Sequence, residues 1–297
     1  KRKKLLSTPV TREETFGKLI AISEQLDIDL KAYQRDNIMR KLPHLMDGLV
    51  PSRRKALFTA RAVFGSTSAE MKVSSFAGET SKFTHYHHGE TSLAGTITKM
   101  AQEYPGGRNL PMLRPNGQFG TRSEGGKDAA SPRYTFTQLT KRLCMSIYPK
   151  EDDLLLKYTF DDGERCEPEF YCPVIPMSVL EHMELPATGW KVKLWARHYK
   201  QVIDNVRDLI YDKIKKARAM KIWLKDNKSE IRFCEKTKKM YSVGCYVYDK
   251  KTNTIHINEL PIGKFSSAFI GECTNQKALC NKPYFKGKPD DRTNDDG

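Results

Sequence analysis

"GTRSEGGKDAASPRYTF", Gly120–Phe136, holds three glycines and five charged residues, with no apolar periodicity until it closes on Arg133-Tyr134 and enters "TFTQL". That chemistry predicts a long loop delivering one arginine and one tyrosine side by side. Upstream, "SAEMKVSSFAGETSKF" predicts a short helix and turn. "GETSLAGTITKMAQEY" predicts a second helix with Leu93, Ile97, Met100 and Ala101 on one face. Two short helices joined by a turn, then "LPMLRPNGQFG" and the glycine-rich loop, read as a helix-turn-helix followed by a wing. The quoted loop is then the wing.

Further upstream, "DLKAYQRDNIMRKL" has apolar residues at helical spacing and stops at Pro43. Pro51 suits a first helical turn, with Gly65 as the stop. Downstream, the sequence alternates. "LLLKYTF", "EFYCPVIPMSVL", "MKIWLK", "EIRFCE", "YSVGCYVYD" and "TIHINELPI" predict strands, with a hairpin around "KKTN". "YKQVIDNVRDLIYDKIKKAR" predicts an amphipathic helix with Val202, Val206, Leu209, Ile210 and Ile214 inward. The expected class is α+β. Residues 1–29 are expected to form a linker, 30–149 a mainly helical winged-helix domain and 150–297 an α+β domain, with "YPKEDD" as the hinge.

Charge supports that division. Residues 150–185 hold 10 acidic and 3 basic side chains, and residues 191–239 hold 16 basic and 6 acidic. Over all 297 residues, 51 Lys and Arg face 36 Asp and Glu, a net charge of +15. Such a balance favours a polyanionic partner, duplex DNA first. No apolar run approaches the length of a membrane span, so no membrane partner is expected. The seven cysteines form no CxxC pair, which leaves free thiols in a reducing compartment as the simplest reading. "KRKK" at the start and "KPDDRTNDDG" at the end read as cut points in a larger protein.

Three stretches offer chemistry. Tyrosine can be a covalent nucleophile, but its phenol, with a reference pKa near ~10, needs activation at neutral pH. A neighbouring guanidinium suits a phosphodiester under attack, because its paired donors meet the developing charge. Glycines 120, 125 and 126 would let backbone amides approach phosphate, with Arg122 and Lys127 adding charge. Taken alone, the dipeptide reads first as a surface loop with an ordinary core tyrosine. In "HYHHGETSL", a helix starting after Gly89 suits an anion; phosphate contact by His87 and His88 is preferred to a metal, since no carboxylate or cysteine cluster supports one. Arg53, Arg54 and Lys55 form a compact basic turn in "MDGLVPSRRK", which taken singly is a solvated charge run.

Together, "DGLVPSRRK", "YHHGETSL", "GQFGTR", "GGKDAASPRY" and "INELPIG" resemble, in order over roughly residues 30–265, the DNA breakage–reunion core of the type IIA topoisomerases. The match is nearer the eukaryotic and large-virus branch than bacterial gyrase. The resemblance implies that residues 150–297 are part of a tower domain. It implies that Tyr134 attacks a DNA phosphate and holds the 5′ end, that Arg133 stabilises the transition state, that His88 lies near the reacting phosphate, and that Arg40 contacts the scissile region. It implies phosphate contacts from Arg53, Arg54, Lys55, His87, Arg122 and Lys127.

Two positions depart from the family pattern. Val50 stands where many relatives have lysine. "LPATGW" stands where they have "GIGTGW", so Pro186, with Leu185 before it, takes the place of an isoleucine that wedges between base pairs. Proline can serve as such a wedge. The sequence carries no ATPase phosphate loop, no EGDSA-like acidic motif and no long heptad pattern. No cofactor is therefore expected on this chain, while ATP and Mg²⁺ are implied for a full-length homodimeric enzyme. The implied location is viral factories in the host cytoplasm, or the nucleus for a cellular homologue. The rival readings are a non-catalytic winged-helix protein that binds or bends DNA, and a tyrosine recombinase, whose order of catalytic residues does not fit.

Overall fold

The computed structural model describes residue 19 and residues 21–274. Most of the expected linker, and everything beyond residue 274, lies outside the described residues. A helical turn at Ile22–Glu24 and a π-helical turn at Gln25–Asp29 lead straight into α1 (Leu30–Lys41). Helix α2 (Pro51–Phe64) begins on Pro51, whose missing N–H costs nothing at a first turn. A two-residue strand β1 (Met71–Lys72) then precedes α3 (Val73–Thr84), and α4 (Glu90–Ala101) follows after a turn at His85, which takes a left-handed conformation. Strands β2 (Leu113–Asn116) and β3 (Phe136–Leu139) pair antiparallel, and β1 joins the free edge of β3. The helix-turn-helix and wing are thus present, with residues 117–135 as the loop between β2 and β3.

The core forms where the apolar faces of α2, α3 and α4 meet. Leu57, Phe64, Phe76, Leu93 and Ile97 are fully enclosed, and the Phe64 and Phe76 rings lie 5.1 Å apart. Each such side chain contributes about 1.5–3 kcal/mol by burial. The cluster continues past residue 150 into Tyr171, Met177, Leu180 and Val202. The change of charge near residue 150 therefore marks a change of architecture, from helices to hairpins, and not a break in packing.

After α5 (Lys141–Ile147), four two-stranded antiparallel units follow: β4–β5 (Tyr158–Asp161, Glu164–Pro168), β6–β7 (Met183–Ala187, Trp190–Leu194), β8–β9 (Glu230–Cys234, Lys239–Val243) and β10–β11 (Cys245–Asp249, Thr254–Glu259). The "KKTN" hairpin is present. Helices α6 (Tyr199–Ile210) and α7 (Ser266–Thr274) complete the α+β fold.

Several expected elements differ. "EFYCPVIPMSVL" forms no strand, because Pro173 and Pro176 remove ladder donors; it runs as loop and a short 3-10 turn. "MKIWLK" makes only an isolated bridge between Ile222 and Arg197, since its neighbour turns into α6 after His198. In "LLLKYTF", only the segment from Tyr158 is strand. Helix α6 stops at Ile210, so Leu209 and Ile210 face solvent while Val202 is buried. "YSVGCYVYD" is two strands divided at Gly244, where any side chain would strike the carbonyl of Glu259.

Candidate active site

Tyr134 ends the turn that leads into β3 and is 69% exposed, while Thr135, Thr137 and Leu139 are buried. Its amide donates to the Ser131 carbonyl at 2.9 Å, closing a turn. The Arg133 guanidinium lies 5.6 Å from the Tyr134 ring centre, and its Nε donates to Ser131 Oγ at 3.3 Å. Helix α3 clamps this turn. Its first amides have no partner within the helix; Val73 N donates to Thr135 O at 2.9 Å and Ser74 N to Pro132 O at 3.1 Å.

The loop before the turn is folded on itself, not open to phosphate. Gly120 N donates to Gln118 Oε1, Gly125 N to Arg122 O and Gly126 N to Thr121 O, so all three glycine amides are used internally. The glycines serve close approach. A Cβ on Gly120 would sit 2.5 Å from Gly126 Cα, one on Gly125 2.5 Å from the Phe265 ring, and one on Gly126 would strike Gln102 and Tyr104. Gln102 Nε2, at the end of α4, donates to Phe119 O at 2.8 Å and Gly126 O at 3.2 Å. Asp128 accepts from Thr121 N at 2.9 Å and from its hydroxyl at 2.8 Å. Lys127 is exposed; Arg122 instead pairs with the buried Glu259.

The basic turn at the start of α2 also faces inward, a correction to the expected phosphate contacts. Arg54 is 5% exposed and donates to both Asp47 oxygens, at 2.7 and 3.0 Å, and to Leu49 O. Lys55 Nζ donates to Thr84 O at 2.5 Å and Glu167 Oε2 at 2.9 Å. Arg53 lines a small cavity of about 40 Å³ with Arg108 and Glu181; burial first, and Arg108 beside it, bring its guanidinium down to about 9. Buried carboxylates claim Arg54 and Lys55 before any ligand can. The reason was not visible in a charge triplet: Asp47 and Glu167 lie 7 and 112 residues from their partners.

The histidines stand at the exposed mouth of α4. His85 Nε2 meets Glu164 Oε2 at 3.0 Å and His87 Nε2 meets Asp161 Oδ2 at 2.7 Å, so both lean on the β4–β5 hairpin. His87 holds the Asp161 carboxyl below its ordinary range. His88 is exposed, its ring edge-on to Tyr86 at 5.4 Å. Arg40, on α1, pairs with Asp36 at 3.3 Å while its Nε is buried without a partner. Pro186 is exposed on β6 opposite Lys191, and Leu185 is half-buried. The tip of that hairpin docks on α1, where Thr188 N donates to Asn37 Oδ1 at 2.9 Å.

Comparison with known proteins gives one answer. The family model for the A subunit of DNA gyrase/topoisomerase IV matches residues 40–287. The chain belongs to the type IIA topoisomerases. A DNA topoisomerase 2 of African swine fever virus (isolate Pig/Kenya/KEN-50/1950) is 38% identical over 289 residues, covering 91% of this chain and 24% of the relative. DNA topoisomerase 2 of Arabidopsis thaliana is 36% identical over 272 residues, covering 90% of this chain and 18% of the relative. The solved DNA-binding, cleavage and re-ligation domain of Plasmodium falciparum topoisomerase II superposes with a TM-score of 0.77 at 35% identity, covering 86% of this chain and 34% of that one. The chain thus spans about a quarter or less of the curated relatives it matches.

Within this topoisomerase segment, residues that sequence reading missed hold the site together. Glu259, inside the "INELPIG" motif, receives Arg122, Lys228 N at 2.9 Å and Leu260 N at 3.0 Å. Glu181 receives the Asn109 and Leu110 amides at 3.2 and 2.8 Å, and burial raises its carboxyl despite Arg108 nearby. Motif membership was the available signal for Glu259; Glu181 had none. Among the described residues no three His, Cys, Asp or Glu side chains converge on a point that could hold a metal.

Proposed function

We propose that this chain is the DNA-cleaving segment of a type II topoisomerase and that Tyr134 is its nucleophile. The observation that carries it is Tyr134 itself: solvent-exposed, beside an exposed Arg133, on a turn pinned by the main chain of α3. The phenol oxygen forms a bond to phosphorus, the bond to the 3′ oxygen breaks, and that oxygen leaves as a 3′ hydroxyl. The 5′ end stays on Tyr134, and the reverse displacement reseals the strand. Arg133 offers two parallel N–H donors to the charge building on the phosphate oxygens. His88 stands beside that phosphate, and Arg40 contacts the flanking strand.

Lys127 and His87 supply phosphate contacts, which position DNA without reading its sequence. Pro186 enters a base step and bends the duplex, with Leu185 behind it. A full-length homodimer carrying this chain breaks both strands of one duplex and passes another through, using ATP and Mg²⁺ bound elsewhere. Viral and cellular relatives are alike in identity, so the enzyme acts in viral factories of the host cytoplasm if its source is a large virus, and in the nucleus if it is cellular.

The test is the full-length enzyme with Tyr134→Phe. DNA binding should persist and the covalent adduct should disappear, since only the phenol oxygen is lost. An adduct formed at the wild-type level by Tyr134→Phe moves the nucleophile elsewhere.

A further inference from the structure

The loop that ends in Arg133-Tyr134 is gripped from a distant part of the chain. Arg122 pairs with Glu259 across 137 residues of sequence, and both side chains are largely closed to solvent. Beside that pair, Ser267 N donates to Ser123 O at 3.3 Å, the Ser123 and Ser267 hydroxyls meet at 3.2 Å, and Ser267 Oγ donates to Glu124. The Phe265 ring occupies the space that a side chain at position 125 would need. Four consecutive loop residues, 122–125, are therefore seated on the segment from Glu259 to Ser267. The opposite side of the loop is held by Gln102.

From this geometry we propose that Glu259 is a positioning residue for DNA cleavage. It holds Arg122, fixes the 118–130 loop against residues 259–267, and so sets where the Arg133-Tyr134 turn stands. Three facts separate it from an incidental ion pair. Glu259 is buried and already oriented by the amides of Lys228 and Leu260, so its carboxylate is in place before Arg122 arrives. Exposed pairs add little, whereas a pair closed off from water with its remaining lone pairs satisfied is costly to break. Arg122 is the guanidinium otherwise assigned to phosphate, and here it is spent on the protein. A displacement of about 1 Å in a reacting group costs on the order of 100-fold in rate, so Glu259, by seating the loop, governs the rate without itself touching DNA.

This inference rests on Tyr134 being the nucleophile, and two measurements keep the two claims apart. The first needs no DNA. Amide hydrogen exchange of the chain should show the Thr121, Gly126 and Ala130 amides, each bonded within the loop, exchanging at least ~10-fold faster in Glu259→Gln, with α4 amides unchanged. Should Glu259→Gln not fold, Phe265→Ala, which removes the ring over Gly125, is expected to do the same. Unchanged exchange in a folded variant overturns the latch. The second uses the full-length enzyme at saturating DNA. Glu259→Gln should lower the cleavage rate at least ~10-fold and leave DNA affinity within about twofold. Arg122→Gln should match it, and the double variant should be no worse than either. If instead Arg122→Gln weakens DNA binding and flattens its salt dependence while Glu259→Gln cleaves normally, Arg122 is a phosphate contact and the proposal fails. A wild-type enzyme that forms no Tyr134 adduct removes the nucleophile reading, while the exchange result still decides the latch.

Discussion

Arg54 lies with its Nε 2.7 Å from Asp47 Oδ2, and both side chains are buried. Asp47 also accepts from the amides of Leu49 and Tyr171, at 2.9 and 3.0 Å. The pair thus ties the turn before α2 to the segment after β5. Removing one partner strands the other charge, so Asp47→Ala is expected to destabilise the chain by about 3–5 kcal/mol. Urea unfolding measures it, and a loss below about 1 kcal/mol contradicts a buried pair.

Basic residues should divide by what holds them. Lys127→Ala is expected to weaken duplex binding evenly across sequences and reduce the salt slope by about one unit. Lys55→Ala should leave that slope unchanged, because its ammonium is held by Thr84 and Glu167. Fluorescence anisotropy over a salt series separates the two.

Gly120 has φ of +100° and its would-be Cβ meets Gly126 backbone. Gly120→Ala should cost about 1–3 kcal/mol through backbone strain alone, before any repacking of the loop. A thermal melt equal to wild type would mean that the loop is not folded on itself.

The thiols should react in an order fixed by burial. Burial pushes the Cys144 thiol up to about 11, whereas Cys172 is exposed. At pH 8 only on the order of a thousandth of Cys144 is thiolate, the reactive form. Iodoacetamide with peptide mass mapping should label Cys172 well before Cys144.

Glu184 answers to pH in a specific direction. Hydrogen bonds from Lys191 and then Lys193 bring its carboxyl down to about 2. A depressed carboxyl stabilises the fold above its ordinary pKa of ~4.3, and that contribution fades as pH falls through about 2. A carboxyl-carbon NMR titration should place the midpoint there, and Lys191→Met with Lys193→Met should raise it.

Much of the fold was legible because local rules agreed with tertiary ones. Pro51, the Leu93–Ile97–Met100 face and the "KKTN" hairpin each form as their spacing implies. The loop that delivers Tyr134 also forms, and the tyrosine at its end is exposed and not in the core. What failed were readings that depend on distant partners. Arg54, Lys55 and Arg122 look like a ligand surface in sequence, yet each is answered by a carboxylate that folding supplies. "EFYCPVIPMSVL" has strand composition, but its prolines cannot donate. Gly120, Gly125 and Gly126 let the loop, Gln102, Tyr104 and Phe265 come close, a need that a local reading of the loop does not reveal.

The contact of α3 with the tyrosine turn is made by main-chain atoms: Val73 and Ser74 hold Thr135 and Pro132 whatever side chains those positions carry. On the proposed reading, a severed DNA end bonded to Tyr134 would be harnessed to the axis of a helix, with only the tyrosine side chain as slack.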